Sequence, residues 1–217
     1  MNELPLFPLH TVLFPGMPLN LHIFEERYKE MIGLCLEQER PFGVVLIRSG
    51  QEALGPLARP HRVGCTARIT EVQPLSEGRM NLTAFGQERF RIISLSHARP
   101  YLVGLVEPYP LEAGNPQTLA QSGRRLHPWI IRYLEILARA GDLKFEAPLL
   151  PDEPLVLAYL AATLLQVPPA EKQVLLEEEG AAGLLSDLRA IYRREVALLG
   201  AMLSQTSARQ AGPFSPS

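Results

Sequence analysis

The spacing of hydrophobic residues changes about halfway along the chain. In the first half, Cys65, Ala67 and Ile69 alternate with polar residues, which is the period-two pattern of a strand with one buried face. Residues 42–47 are apolar almost throughout, as expected for a strand covered on both faces. Further alternating segments follow at 80–84, 89–92 and 101–106. Several short strands of this kind predict a small closed or nearly closed β-barrel.

Helical spacing occurs once within this strand-rich half. Over residues 24–40 the apolar side chains recur at three- and four-residue steps: Phe24, Tyr28, Met31, Ile32 and Cys35. Residues 4–9 are apolar but contain prolines, which cannot donate ladder hydrogen bonds. We therefore expect that segment to be an extended edge strand or to close the barrel. Residues 14–18, Phe-Pro-Gly-Met-Pro, predict a turn, after which residues 19–23 can resume a strand.

After Pro110 the pattern becomes helical. The predicted helices cover residues 119–140, 154–166, 169–179 and 184–203, and Pro154 and Pro169 stand where the first turn begins. The fold class is therefore α+β, with a β-barrel domain over residues 1–112 that contains one helix. A helical bundle over 117–203 is predicted to follow. The small, polar residues of 204–217 predict a disordered tail.

Composition narrows the range of partners. The chain has 217 residues, 47% of them hydrophobic and 20% charged, with a formal net charge of −2. This balance is typical of a globular protein and gives no general reason to expect an anionic membrane as partner. The N-terminus lacks the basic region and the long apolar run of a signal peptide. We therefore expect a cytoplasmic protein without a membrane partner.

The residue combinations that catalysis requires do not stand out. Residues 50–55 have glycines at both ends, but Pro56 and Leu57 follow where a phosphate-binding loop needs lysine and a hydroxyl. The five histidines form no His-x-x-x-His pair, and no serine lies in a Gly-x-Ser-x-Gly turn. Cys35 and Cys65 each lie among apolar neighbours and are expected to be buried thiols. We predict no catalytic residues, no metal and no cofactor.

Basic charge is concentrated in the predicted barrel. Between Arg59 and Arg99 there are seven arginines and three glutamates. Arg68, Arg89 and Arg91 lie in predicted strands, and on one face they would bind phosphates, RNA or an acidic partner. The structural alternative is that arginine commonly occupies the polar face of a half-exposed strand. Because no aromatic strip accompanies the charge, RNA binding is the second hypothesis.

Several segments closely resemble the N-terminal domain of Lon proteases. They are Leu-Pro-Leu-Phe-Pro-Leu at 4–9, Val-Leu-Phe-Pro-Gly-Met-Pro-Leu at 12–19, Phe-Glu-Glu-Arg-Tyr at 24–28, Val-Gly-Cys-Thr-Ala-Arg-Ile at 63–69, Gly-Arg-Met-Asn-Leu at 78–82, Gly-Gln-Glu-Arg-Phe-Arg-Ile at 86–92 and the Glu-Lys-Gln stretch within 167–177. The resemblance covers about residues 3–203. It implies a PUA-like β pseudo-barrel followed by a helical bundle.

The resemblance also implies a function. Lon proteases continue into ATPase and peptidase domains, which have no counterpart in this sequence, so we expect an ATP-independent, non-catalytic module that binds unfolded or damaged polypeptides. A protease or chaperone and a second copy of the chain are the other expected partners. Phe14 and Met17 flank the predicted turn, where exposed apolar side chains would bind an unfolded chain. The structural alternative is that both residues close the end of the barrel.

Overall fold

The chain passes from a strand-rich part to a helix-rich part, as its hydrophobic pattern predicts. The structure is a computed structural model that describes residues 2–50 and 58–210. The strands are β1 (Asn2–Leu9), β2 (Pro18–Ile23), β3 (Phe42–Ser49), β4 (Arg59–Pro60), β5 (Val63–Pro74), β6 (Met80–Ser96) and β7 (Leu102–Pro108). The helices are α1 (Glu26–Glu37), α2 (Pro116–Ala140), α3 (Pro154–Leu164), α4 (Pro169–Glu177) and α5 (Ala181–Gln210).

The strands close into a ring. The sheet runs in the order β1-β7-β6-β5-β3-β4, and β1 also pairs with β3, so that β1, β7, β6, β5 and β3 form a closed barrel. Most pairs are antiparallel, whereas β1 and β3 are parallel. Of the two roles predicted for residues 4–9, the structure shows the closing one. Pro5 lies opposite Val103 of β7, and Pro8 lies opposite Val45 of β3.

Two apolar clusters fill the barrel unit. The larger one joins the buried face of α1 to the strands, and the rings of Phe7 and Tyr28 stack with their centroids 4.0 Å apart. The smaller one surrounds Phe90. A Cβ atom at Gly43 or Gly64 would lie 2.7 Å from the tip of the Phe90 ring. Glycine at both positions therefore makes room for this phenylalanine.

The predicted turn at residues 14–18 folds over β6. Gly16 has a φ of +79°, and its N–H donates to the carbonyl of Gly86 at 2.8 Å. Gly86 in turn donates to the carbonyl of Met17 at 2.9 Å. A Cβ atom at Gly86 would lie 2.1 Å from the carbonyl oxygen of Phe14. The turn and β6 therefore approach more closely than any side chain would allow.

The chain divides into two units, and the division differs from the predicted one. One unit consists of Met1–Glu112 with Ala162–Glu179, and the other of Ala113–Ala161 with Gly180–Ser217. The sequence assigned 162–179 to the helical domain, but these residues belong to the barrel unit. The reason is long-range hydrogen bonding, because Nε2 of Gln173 on α4 donates to the carbonyl of Val63 at 3.0 Å.

Helices α2 and α5 pack together in the second unit. The side chain of Asn115 caps α2 by accepting from the N–H groups of Gln117 and Thr118. The rings of Tyr133 and Tyr192 meet edge to face at 5.1 Å, and the Tyr192 hydroxyl donates to the carbonyl of Ala161. Burial raises the pKa of Tyr192.

The predicted disordered tail begins too early. Helix α5 continues to Gln210, so residues 204–210 are helical, whereas 211–217 lie outside the described residues. An existing helix extends by one residue at little cost, and Ser204 donates from its hydroxyl to the carbonyl of Gly200 at 2.9 Å. Composition alone misses this extension because it ignores the helix that precedes the segment.

Candidate binding groove on the barrel unit

Strand β2 has one edge that no other strand covers. Within the residues that the structure describes, β2 pairs with β6 and with no other strand. The register places Pro18 opposite Phe85, Leu21 opposite Leu82 and Ile23 opposite Met80. Sheet edges expose backbone groups that can pair with a further strand. This edge is therefore a candidate site for binding a polypeptide.

The register determines which backbone groups face outward. Pro18 has no N–H, and Gly86 donates to Met17 rather than to Pro18, so Pro18 and Phe85 form a non-hydrogen-bonded pair. The pairs then alternate along the strand, and Leu19, Leu21 and Ile23 bond to β6. The N–H and C=O groups of Asn20 and His22 consequently point to the uncovered edge.

These four groups, two donors and two acceptors, form no hydrogen bond to any part of the chain that the structure describes. They recur every second residue, which is the repeat of a strand edge. Water can satisfy them in the free protein, but only another extended backbone matches the whole row. The edge is therefore chemically suited to a peptide chain.

The uncovered edge opens onto a groove of about 250 Å³. We call the groove and the edge together the β2 groove. It is lined by Phe7, Leu9, Asn20, Leu21, His22, Ile23, Phe24, Glu25 and Tyr28. Most of the apolar lining is buried, but Phe24 is 45% exposed and stacks on His22 with ring centroids 5.9 Å apart. The groove thus has an apolar floor and an aromatic rim.

The outer face of the same strands is polar. Nδ1 of His22 and Oδ1 of Asn81 are 2.7 Å apart, and Nδ2 of Asn81 donates to Oε1 of Gln73 at 3.2 Å. The hydroxyl of Thr83 donates to Oδ1 of Asn20 at 3.1 Å. These side chains line a second depression of about 420 Å³, which shares Asn20, Leu21 and His22 with the β2 groove. The cross-strand bonds hold β2 in register and leave its free edge accessible.

The geometry of the described residues gives little support to a catalytic function. Over residues 2–50 and 58–210, no three His, Cys, Asp or Glu side chains gather in a way that could hold a metal ion. Burial raises the pKa of the Cys35 thiol to about 11 and that of Cys65 to about 12. Both thiols therefore stay protonated and unreactive near neutral pH. The β2 groove offers hydrogen bonds and apolar contact, which suffice for binding.

The exposure predicted for Phe14 is absent. Its side chain is 0% exposed, and Met17 is partly buried and packs against the barrel core. The turn folds down onto Gly86, which explains why both side chains point inward. The structural alternative, closure of the barrel end, is what the structure shows for these two residues. An exposed aromatic side chain is found instead at Phe24, ten residues after Phe14.

Arg89 is an internal anchor and not a surface contact. It is 3% exposed, and its guanidinium donates to the carbonyls of Leu176 and Glu178 at 2.7 Å each and to that of Tyr109 at 3.1 Å. Carbonyl oxygens at the end of α4 lack partners within the helix, and a buried cation can satisfy them. The predicted role of Arg89 in binding RNA is therefore wrong, because the side chain cannot reach a ligand.

The other two arginines of the RNA hypothesis do not form a site together. Arg91 is half-buried, stacks on Tyr109 at 4.1 Å and pairs with Glu179 at 3.5 Å. Arg68 is exposed on β5. The residue opposite Arg91 is Val63, five positions before Arg68, so the two arginines are separated by roughly 16 Å along the strand. No joint phosphate contact follows from this arrangement.

Sequence reasoning missed Asn20 and His22. A strand was predicted at 19–23 after the turn, and Pro18 is a signal for its phase, because a residue without an N–H must stand where no ladder bond is made. What the sequence did not show is that β2 is paired on one side and uncovered on the other. That fact depends on where β1 and β7 lie.

The fold and the groove define a class of protein: a module of mixed helix and antiparallel sheet whose barrel presents an open strand edge beside an apolar groove. The family model described as the ATP-dependent protease La (LON) substrate-binding domain matches residues 3–189. The chain belongs to this family, as its sequence motifs indicated. In the described residues, no helix is both long and apolar enough to cross a membrane.

Solved structures and curated sequences agree with this assignment. The Lon N-terminal domain protein from Xanthomonas campestris superimposes with a TM-score of 0.63 at 27% identity, over 88% of this chain and 98% of that one. The N-terminal domain of Mycobacterium avium complex Lon protease has the same TM-score and coverage at 17% identity, and so shares the fold. Lon protease of Syntrophus aciditrophicus is 26% identical over 211 residues, 90% of this chain. The chain spans about a quarter of that relative's length.

Proposed function

We propose that this chain is a non-catalytic module that binds unfolded or damaged polypeptides in the β2 groove. The observation that carries the proposal is the uncovered β2 edge, whose outward backbone groups lie beside an apolar groove rimmed by Phe24. Membership of a substrate-binding family supports it, because the substrates of a protease are polypeptides. A PUA-like barrel and a helical bundle are the finer description of the fold that we propose with it.

Binding in this proposal needs no ATP and makes or breaks no covalent bond. The protein would therefore act by holding a substrate, either alone or for a protease or chaperone, in the cytoplasm. Exposed apolar side chains of unfolded chains supply the affinity, because burying apolar surface is the main favourable term in such contacts. A folded protein, whose apolar residues are internal, should bind poorly.

Fluorescence anisotropy of the purified protein tests this proposal. The probe is a fluorescein-labelled polypeptide that is permanently unfolded by reduction and carboxymethylation, and its native, disulfide-bonded form is the folded comparison. We expect saturable binding of the unfolded probe alone, and at least fivefold weaker binding by the Phe24→Ala variant. Leu198→Ala removes a similarly exposed apolar side chain from α5 and is the matched control. Equal binding of both probe forms contradicts the proposal.

RNA binding remains the second candidate, and it now depends on Arg68 and Arg91. Anisotropy of a labelled single-stranded RNA, measured in parallel, distinguishes RNA binding from polypeptide binding. RNA affinity that falls steeply with salt and falls again in the Arg68→Ala and Arg91→Ala variants would favour nucleic acid. We expect little RNA binding, because Arg91 is already engaged by Tyr109 and Glu179.

A further inference from the structure

We infer that the β2 groove binds its polypeptide as an added β-strand, which pairs with the outward backbone groups of Asn20 and His22. This inference rests on the proposed function and specifies its ligand: an extended segment with alternating apolar and polar residues. Helical or folded segments would be excluded, because their backbone donors and acceptors are already used within the segment.

The alternation of hydrogen-bonded and non-hydrogen-bonded residues along β2 determines which backbone groups remain for a ligand. Its bonds to β6 use Leu19, Leu21 and Ile23, so the N–H and C=O groups of Asn20 and His22 remain for a partner strand. An incoming strand would form up to four backbone hydrogen bonds with these two residues. Backbone contacts of this kind do not depend on the side chains of the ligand. They fit a protein that must accept many different unfolded sequences.

The side-chain preference comes from the two faces of β2. Leu19, Leu21 and Ile23 point inward, whereas Asn20 and His22 are exposed on the outer face. A strand added beside β2 continues both faces. Every second residue of the ligand would enter the apolar groove next to Phe7 and Leu9, and the residues between them would extend the polar outer face. An alternating segment is therefore the matching ligand.

Such segments are the strands of other proteins. In a folded protein their backbone groups are paired and their apolar face is covered, so they become available only on unfolding. The β2 groove would thus recognise a structural state, a strand that has lost its sheet. Charge adds little to this preference, because the carboxylate of Glu25, which lines the groove, is already paired with Arg27 at 3.0 Å.

A second copy of the chain could also pair at this edge, but the groove favours a single strand. The edge opens onto a groove of about 250 Å³ lined by Phe7, Leu9 and Tyr28. That volume can receive alternate side chains of one extended segment, whereas the β2 strand of another copy would bring its own barrel with it.

Proline substitution at the free edge tests the inference in the protein. Asn20→Pro and His22→Pro each remove one outward N–H and leave the ladder to β6 intact, because Pro18 already occupies a position of the same phase. Asn20→Ala and His22→Ala remove the same side chains but keep the N–H, and are the matched controls. We expect each proline variant to bind about tenfold more weakly than its alanine control.

N-methylated ligands test the same bonds with the unaltered protein. The probe is a fluorescein-labelled ten-residue peptide of alternating leucine and threonine with lysine at both ends, measured by anisotropy. Two versions are methylated on every second backbone nitrogen, one set offset from the other by a single residue. A strand pairs along one edge only, so one version should lose at least tenfold in affinity and the other should bind within about twofold of the parent. Which version loses binding reports the direction of the bound strand.

The outcomes separate the inference from the proposed function. If the unfolded polypeptide binds but proline variants match their alanine controls and both methylated peptides bind alike, strand addition is overturned while polypeptide binding stands. If no polypeptide binds, the proposed function fails as well. Concentration-dependent dimerisation of the free protein that is abolished by His22→Pro would assign the edge to a second copy and overturn the inference. Circular dichroism and thermal midpoints confirm that the variants are folded.

Discussion

The two halves of strand β6 have different surroundings. The later half, from Arg89 onward, pairs with β7 and, as far as Arg91, with β5, and Arg89 ties it to the end of α4. The earlier half, Met80 to Phe85, lies between β5 and β2, and β2 has an uncovered edge in the described structure. One strand therefore contributes to a closed core at one end and to an open groove at the other.

This difference shows how one barrel combines stability with accessibility. The buried Arg89 satisfies the carbonyls of Tyr109, Leu176 and Glu178, so losing that side chain leaves these polar groups without their donor. At the open end the outward groups of β2 are exposed to water, and changes should affect binding more than folding. Each pair of substitutions below compares an enclosed residue with a matched residue in more open surroundings.

The largest effect is expected from Arg89→Ala. The change leaves the carbonyls of Leu176, Glu178 and Tyr109 without their donor in a buried site, so the free energy of unfolding should fall by about 3–5 kcal/mol. Urea unfolding monitored by circular dichroism measures it. Arg91→Ala removes a half-exposed arginine two residues away and should cost less than about 1 kcal/mol. Equal losses in the two variants would disprove the anchoring role of Arg89.

Phe14 and Phe24 should separate folding from binding. Phe14→Ala empties a fully buried site and should destabilise the protein by about 3–5 kcal/mol. Phe24→Ala alters a half-exposed rim residue and should change stability by less than about 1 kcal/mol, yet weaken polypeptide binding. Urea unfolding and anisotropy on both variants check this pair. A folded Phe14→Ala protein with greatly reduced affinity, beside an unaffected Phe24→Ala protein, would restore the turn as the binding surface.

Gly86→Ala acts where the two halves of β6 meet. The added methyl would lie 2.1 Å from the carbonyl oxygen of Phe14, so the turn must move, at a cost of about 1–3 kcal/mol. Gly33→Ala on α1 has nothing within 4 Å of the added methyl and should stabilise the protein by about 0.5–1 kcal/mol. Thermal unfolding of both variants tests the pair. No loss of stability in Gly86→Ala would mean that the close contact with the turn is not maintained.

The last effect is negligible near neutral pH and appears only under alkaline conditions. Burial holds the thiol pKa at about 11 for Cys35 and about 12 for Cys65, above the value of about 8.5 for an exposed cysteine. The folded state therefore retains these protons more tightly than the unfolded state. The contribution of the protonated thiols to the free energy of unfolding is fully present below about pH 8.5. It declines as pH rises through about 9 to 11, by about 1 kcal/mol per thiol per pH unit.

Denaturant titrations between pH 8 and 10.5 measure the decline. The Cys35→Ala/Cys65→Ala double variant is the control for tyrosine and lysine titration, and it should show a shallower fall than the unchanged protein. A thiol reagent should also label neither cysteine at pH 8 until the protein unfolds. Rapid labelling of the folded protein would contradict the burial of these side chains.

Much of the local structure follows from the sequence. Helix α1 was predicted from its apolar spacing, the turn over Gly86 from Pro15 and Gly16, and the start of α4 from Pro169. Each depends on interactions within a few residues, which the sequence displays directly. The family also follows from the sequence, since its motifs are short local segments.

The candidate site follows from the sequence only in part. Residues 19–23 were predicted as a strand, but Phe14 was expected at the surface and is buried, and Arg89 was expected to bind a ligand and is an anchor. In both cases the local pattern was compatible with either role. The deciding contacts, Gly86 with the turn and α4 with β6, join residues 69 or more positions apart.

By itself, the sequence determined most of the strands and helices and the change of period near Pro110. Only the tertiary structure decided that residues 162–179 join the barrel unit, that Arg89 is enclosed and that β2 has an open edge. The physical reason is that a strand's own pattern specifies which face is buried, whereas its edges are covered or left open by strands that are distant in sequence.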